Sequence, residues 1–131
     1  GLKTGNQTIC FKRNGICMTR GVSLYLEDIV SAINKIGKYT KRLSFNRLKK
    51  DGKTIDAVIR NLEIIGEASK HLPREIKEKY SNIPWKEIVG MRNKVIHEYF
   101  GVDVDILWDT INEDIPALKR KIRVLKSALD K

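Results

Sequence analysis

Hydrophobic residues recur at intervals of three and four along most of this chain, the spacing that gathers side chains on one face of an α-helix. The first stripe follows Val22 and runs Leu26, Ile29, Ile33 and Ile36. Ser23 stands where an N-cap is wanted, with Glu27 and Asp28 near enough to favour the positive end of the helix dipole. A short basic stretch, SFNRLKK, and the pair Asp51-Gly52 then punctuate the pattern. The second stripe is Ile55, Val58, Ile59, Leu62, Ile65 and Leu72, with small Gly66 and Ser69 filling the places between. Pro73 ends that helix, and a helical turn through Ile76 and Tyr80 follows. Pro84 suits a first helical position, so a third stripe starts there: Trp85, Ile88, Val89, Ile96 and Tyr99, stopping at Gly101. The last stripe is the most regular. Val104, Trp108, Ile111, Ile115, Leu118, Ile122, Leu125 and Leu129 alternate steps of four and three, a heptad seam that wants a partner helix. Pro116 removes a backbone donor inside it, which predicts a kink or break near Ile115.

No alternating apolar and polar run of strand length is present. The pattern therefore predicts an all-α fold, an antiparallel helical bundle of four long helices plus one or two short ones. With 131 residues there is room for one such domain. Residues 1–17, GLKTGNQTICFKRNGIC, lack both periodicity and carboxylates. They are expected to be a non-native or disordered extension ahead of Met18, with residues 18–131 forming the helical domain; a basic arm that orders on binding is the alternative.

Charge adds a direction. Lys and Arg number 26 against 16 Asp and Glu, a formal net charge of +10, which favours contact with phosphates. The runs Lys41-Arg42, Lys49-Lys50 and Lys119-Arg120-Lys121 could guide a polyanion, although solvated helix faces also carry such runs. Cys10 and Cys17 are too few for a disulfide framework and have no companions for a zinc site. A reducing, cytoplasmic setting is expected, with no metal and no cofactor, and no run is long enough to cross a membrane.

The chemistry concentrates in MRNKVIHEYFGVD, residues 91–103. Arg92 lies on the stripe that should face the bundle, where a guanidinium must be paired or line a cleft. Tyr99, seven residues on, is only about 20° away around a helix and shares that face. His97 is about 140° from Arg92, so the two converge only if the helix loosens toward Gly101 or a second subunit contributes one of them. Histidine can move protons near neutral pH, and arginine offers a charged planar fork to phosphate oxygens. Together they could cleave RNA without a metal, Asn93 orienting the phosphate or the histidine. The plainer alternative has Arg92 paired with a carboxylate of a neighbouring helix and His97 capping a helix end. Arg60, Asn61, Glu63 and Glu67, on or beside the second stripe, are the candidates to line the same cleft or to oppose Arg92.

Arg92, His97 and Tyr99 also reproduce the R-x4-H-x-Y pattern of the HepT-type branch of the HEPN superfamily. Four further stretches resemble that family: YLEDIVSAINKIGKYT (25–40), KTIDAVIRNLEIIGEASKHLP (53–73), IPWKEIVGMRN (83–93) and YFGVDVDILWDTI (99–111). The resemblance spans residues 18–131. It implies a homodimer in which the motifs of two subunits face one cleft, and a toxin acting as a metal-independent endoribonuclease on RNA. Arg92 and His97 would carry the chemistry, assisted by Asn93. The partner implied is a minimal nucleotidyltransferase antitoxin, MntA-like, that transfers AMP to Tyr99. An AMP there would set bulk and a negative phosphate beside Arg92 and compete for the cation meant for RNA. The rival function is a non-catalytic module, a nucleotide- or protein-binding helical partner of a nucleotidyltransferase. A DNA-binding regulator is disfavoured, because no helix-turn-helix signature is present.

Overall fold

The computed structural model describes residues 11–13, 16–18, 20–97 and 101–129. Two short strands, β1 (Phe11–Arg13) and β2 (Ile16–Met18), pair antiparallel. Helices follow in order: α1 (Arg20–Thr40), α2 (Phe45–Lys49), α3 (Gly52–His71), α4 (Arg74–Lys79), α5 (Trp85–Val89) and α6 (Met91–Val95). A second small hairpin joins β3 (Ile96–His97) to β4 (Gly101–Val102). The chain then winds through α7 (Val104–Asp109), a π-helical turn (Thr110–Asp114) and α8 (Ile115–Leu129). The fold is all-α apart from these two hairpins. No described helix is long and apolar enough to cross a membrane.

The predicted stripes form the core. Leu26, Ile29, Ile33 and Ile36 of α1 are buried together with Ile55, Val58, Leu62 and Ile65 of α3 and Ile115, Leu118, Ile122 and Leu125 of α8. The two long helices α1 and α3 run antiparallel. Tyr25, early in α1, stacks on His71 at the end of α3 with ring centroids 5.3 Å apart, and the linker carrying α2 joins their other ends. His71 thus lies across the end of the pair, its ring against Tyr25.

Several boundaries differ from the sequence reading, each for a local reason. Helix α1 begins at Arg20 rather than after Ser23, because Val22 is buried and docks the extra turn on the core. Glu27 and Asp28 accordingly fall beyond its first turn. The SFNRLKK stretch is itself a helix, α2. Ser44 Oγ accepts from the N–H of Arg47 at 3.2 Å, and Leu48 is fully buried. Asp51 does more than punctuate, since it caps α3: Oδ1 accepts from the Thr54 N–H at 3.0 Å and Oδ2 from the Thr54 hydroxyl at 2.7 Å. The break expected near Ile115 takes the form of the π-helical turn just before Pro116, where the Ile115 N–H reaches back to the Thr110 carbonyl.

The largest difference concerns the third helix. Instead of one rod from Pro84 to Gly101, two five-residue helices meet at Gly90, and the helix stops at Val95. Glycine is a weak helix former, and the β-branched pair Val95-Ile96 suits an extended backbone, which Ile96 adopts at φ −110°, ψ 126°. Gly101 then takes φ +75°, a conformation that side chains rarely tolerate, to pair β4 with β3. The long rods among the described residues are therefore three, not four: α1, α3 and the continuous α7–π–α8 segment.

The Thr54 hydroxyl, and after it the Thr54 N–H, hold the Asp51 carboxyl below its ordinary pKa of 3.8. A depressed folded-state value means that ionised Asp51 stabilises α3 fully above that pH and loses this effect as pH falls through the lowered value. Asp51→Asn keeps a capping acceptor but loses the charge that the two Thr54 donors stabilise, so it should unfold at lower temperature than wild type near neutral pH. The gap should close in acid, as the pH falls through the lowered value. Thermal midpoints of both proteins across this range check it; a constant gap would contradict the assignment.

Candidate active site

Helices α5 and α6 lie along α3 in the opposite sense. A Cβ on Gly66 would stand 3.1 Å from the carbonyl oxygen of Val89, and three residues further along α6 Arg92 meets Glu63, three residues back along α3. The small residue at position 66 is what lets the two backbones come this close. Arg92 Nε, itself buried, faces Glu63 Oε2 at 3.6 Å, while the rest of the side chain stays 42% exposed. Its Nη1 donates to Asn93 Oδ1 at 3.2 Å. Asn93 thus touches the guanidinium of Arg92.

Glu63 is shared. Its other oxygen, Oε1, lies 3.3 Å from Arg60 Nη1, so one carboxylate stands between two guanidinium groups. The counter-charge for Arg92 thus comes from α3, and Glu63 is the residue of the four candidates that supplies it. Glu67 pairs with Lys70 on its own helix. Asn61 is buried, with Nδ2 donating to the Ala57 carbonyl at 2.8 Å.

His97 occupies β3, two residues past the end of α6, so the 140° helical relation to Arg92 does not apply. The helix has loosened. Its Nε2 lies 3.6 Å from Asp103 Oδ2, and the ring remains 48% exposed. Asp103 was not singled out from the sequence. It has a second duty, since Oδ1 caps α7 by accepting from the Ile106 N–H at 3.1 Å. An aspartate three residues ahead of a helical N–H, after a turn glycine, was the available signal. The Asp103 N–H also donates to the Val95 carbonyl at 2.8 Å, which ties the hairpin back to α6. Arg92 and His97 share no hydrogen bond or ion pair with each other among the described residues. Tyr99 lies outside the described residues.

Lys94 steadies this region from the other side, with Nζ 3.5 Å from Asp114 Oδ2 on the π-helical turn. Trp85 donates from Nε1 to the Tyr80 carbonyl at 3.2 Å, and Trp108 packs edge-on against Phe45 with centroids 6.0 Å apart. Both tryptophans act as partly buried anchors. No group of three or more His, Cys, Asp or Glu side chains converges among the described residues. The site is thus a helical bundle edge that presents a tethered arginine and a tethered histidine to solvent on adjoining elements, side chains whose chemistry suits phosphate oxygens and proton transfer.

Similarity assigns it a family. Residues 29–125 match the model described as "Ribonuclease HepT-like", and the chain belongs to that family. It is 51% identical over 109 residues to the "Probable ribonuclease HepT" of Thermococcus cleftensis, covering 83% of this chain and 99% of the relative. It is also 42% identical over 106 residues to the "Putative RNase MJ1380" of Methanocaldococcus jannaschii, with 81% and 97% coverage. A third relative, from Caldanaerobacter subterraneus and also named as an RNase, shares 48% over 99 residues, covering 76% of this chain and 88% of the relative. No solved structure matches the chain.

Proposed function

We propose that this chain is the toxin of a toxin–antitoxin pair, a metal-independent endoribonuclease that works as a homodimer. The observation that supports this reading best is the separate tethering of two half-exposed groups: Arg92 by Glu63 and Asn93, and His97 by Asp103. The ribose 2′-hydroxyl attacks the adjacent phosphorus and the bond to the 5′-oxygen breaks. Products are a 2′,3′-cyclic phosphate and a 5′-hydroxyl. His97 takes the 2′ proton or returns one to the leaving oxygen, as general base or acid. Arg92 stabilises the extra charge on the phosphoryl oxygens, which is greatest in the transition state. Asn93 holds the fork of Arg92. In a dimer, the second subunit supplies the complementary proton carrier to the shared cleft.

Tyr99 is the acceptor through which a nucleotidyltransferase antitoxin neutralises the enzyme by adding AMP. Incubating the purified chain with that partner and ATP should add one adenylyl group by intact mass and reduce RNA cleavage in proportion. Tyr99→Phe should stay unmodified. Full cleavage by the modified protein would remove Tyr99 from this role.

Asp103 positions His97. Asparagine caps helices about as well as aspartate, so Asp103→Asn keeps the α7 cap while removing the carboxylate charge that faces the imidazole. Cleavage should fall by about tenfold or more, in kcat rather than KM, because the ring loses its anchor. The unfolding midpoint should hardly move. An unchanged kcat would mean that Asp103 serves α7 alone.

A further inference from the structure

The positive charge of this protein is concentrated. Residues 35–53 carry eight of the 26 cationic side chains and one of the 16 carboxylates, so seven of the ten net charges fall in that stretch. All eight, Lys35, Lys38, Lys41, Arg42, Arg47, Lys49, Lys50 and Lys53, are exposed. None of them forms an ion pair among the described residues, whereas Arg60, Lys70, Arg74, Arg92 and Lys94 all do. The lone carboxylate, Asp51, is occupied by Thr54 through both oxygens. Seven positive charges of this segment are left without a carboxylate within it.

The segment is shaped as well as charged. The end of α1, the turn after it and α2 enclose an open groove lined by Lys38, Tyr39, Lys41, Arg42 and Arg47, with Leu43 and the Thr54-bound Asp51 carboxylate completing it. Tyr39, 41% exposed, is the one exposed Phe, Tyr or Trp among the residues whose burial is described. A cationic groove with an accessible aromatic face is the combination that follows a single strand: cations along the phosphates, a ring beneath a base. Duplex binding would not need the ring.

The groove is linked to the site through α2, which packs on α7. Helices α5 and α6 run from the Gly66 level of α3 past Glu63 toward its N-terminus, the end that α2 adjoins. Phe45 of α2 packs on Trp108 of α7, and Asp103 at the head of α7 faces His97. From Trp108 to Asp103 is five helical residues, about 8 Å.

We infer that the α1–α2 groove is a docking surface for single-stranded RNA, holding nucleotides that flank the cleaved bond while Tyr39 stacks on one base. This rests on the ribonuclease reading for its substrate but not for its test. The probe is a fluorescent single strand of about a dozen 2′-O-methyl nucleotides, which has no free 2′-hydroxyl to react, and binding is read by anisotropy across a salt series. Replacing Lys38, Lys41, Arg42 and Arg47 together by Gln should raise Kd at least about tenfold and flatten the slope of log Kd against log salt by about 3. Tyr39→Ala should raise Kd by roughly fivefold or more with the slope unchanged, since stacking releases no counterions. Circular dichroism should be that of wild type, because every altered side chain is exposed.

Wild-type affinity and slope in the quadruple variant would overturn the proposal. So would an equal loss on replacing Lys119, Arg123 and Lys126 of α8, which would make the binding a matter of net charge alone. A wild type that binds the strand with the expected dependence yet cleaves no RNA supports this surface and contradicts the ribonuclease reading. Cleavage without any effect of the groove variants on binding does the reverse.

Discussion

Replacing either His97 or Arg92 by alanine is expected to reduce RNA cleavage about a thousandfold, with thermal unfolding moved by no more than about 2 °C. Both halves of that expectation follow from how the two residues are tethered. Removing the imidazole takes away the group proposed to move the proton, while its partner Asp103 keeps the α7 cap through the Ile106 N–H. Removing the guanidinium leaves Glu63 with Arg60 at 3.3 Å, so no carboxylate is stranded. The fold loses nothing it depends on. Arg92→Lys should recover little, because an ammonium keeps the charge but lacks the planar fork that matches phosphoryl oxygens and engages both Glu63 and Asn93. Gel assays of cleavage beside thermal melts check this; a variant that melts like wild type and cleaves like wild type would remove that residue from the mechanism.

The second large effect concerns the scaffold. Gly66→Val should destabilise the protein by about 3 kcal/mol, the upper range for overpacking a tight contact, and lower the midpoint by about 10 °C. Even the Cβ would stand 3.1 Å from the Val89 carbonyl oxygen, and the methyl groups beyond it have only α5 to push against. That displacement passes to α6 and pulls Arg92 away from Glu63, so cleavage at a temperature where the variant is folded should fall too. Gly37→Ala is the matched control. It lies in α1 with nothing within 4 Å of its added Cβ and should stabilise the helix by up to about 1 kcal/mol. Equal effects at the two positions would mean that the α3–α5 approach is not the tight contact described.

The helical stripes were legible because burial has a period that the chain cannot hide. Even Gly66 and Ser69 fell on the α3 stripe as small fillers, although only the structure shows that Gly66 admits the backbone of α5. The stretch from Trp85 to Tyr99 misled for the same reason. Its apolar spacing fits one helix, yet Gly90, the Val95-Ile96 pair and the positive φ of Gly101 break it into two short helices and a hairpin. Backbone preference there overrode periodicity, and it moved His97 off the helix that carries Arg92.

The site was partly legible. Arg92 could be recognised as a charge needing a partner, and Glu63 was one of two carboxylates, with Glu67, among the α3 candidates able to serve. Sequence spacing along one helix could not choose between them, because the choice depends on how α6 docks. Asp103 escaped notice because its contact with His97 closes across the hairpin, a pairing no helical spacing encodes. The basic run at 41–42 was visible as charge, but its meeting Arg47 around Tyr39 depends on α2 being a helix. No sequence argument had assigned one there.

The central claim is that this chain cleaves RNA with its own side chains, and the most direct test is cleavage of a single-stranded RNA by purified wild-type protein in excess EDTA, with the product ends identified. The account predicts cleavage that persists in the chelator and leaves 2′,3′-cyclic phosphate and 5′-hydroxyl ends. Cleavage that stops in EDTA, ends bearing a 5′-phosphate, or no cleavage by protein whose Tyr99 is unmodified would contradict it; the last would favour a helical binding partner of a nucleotidyltransferase.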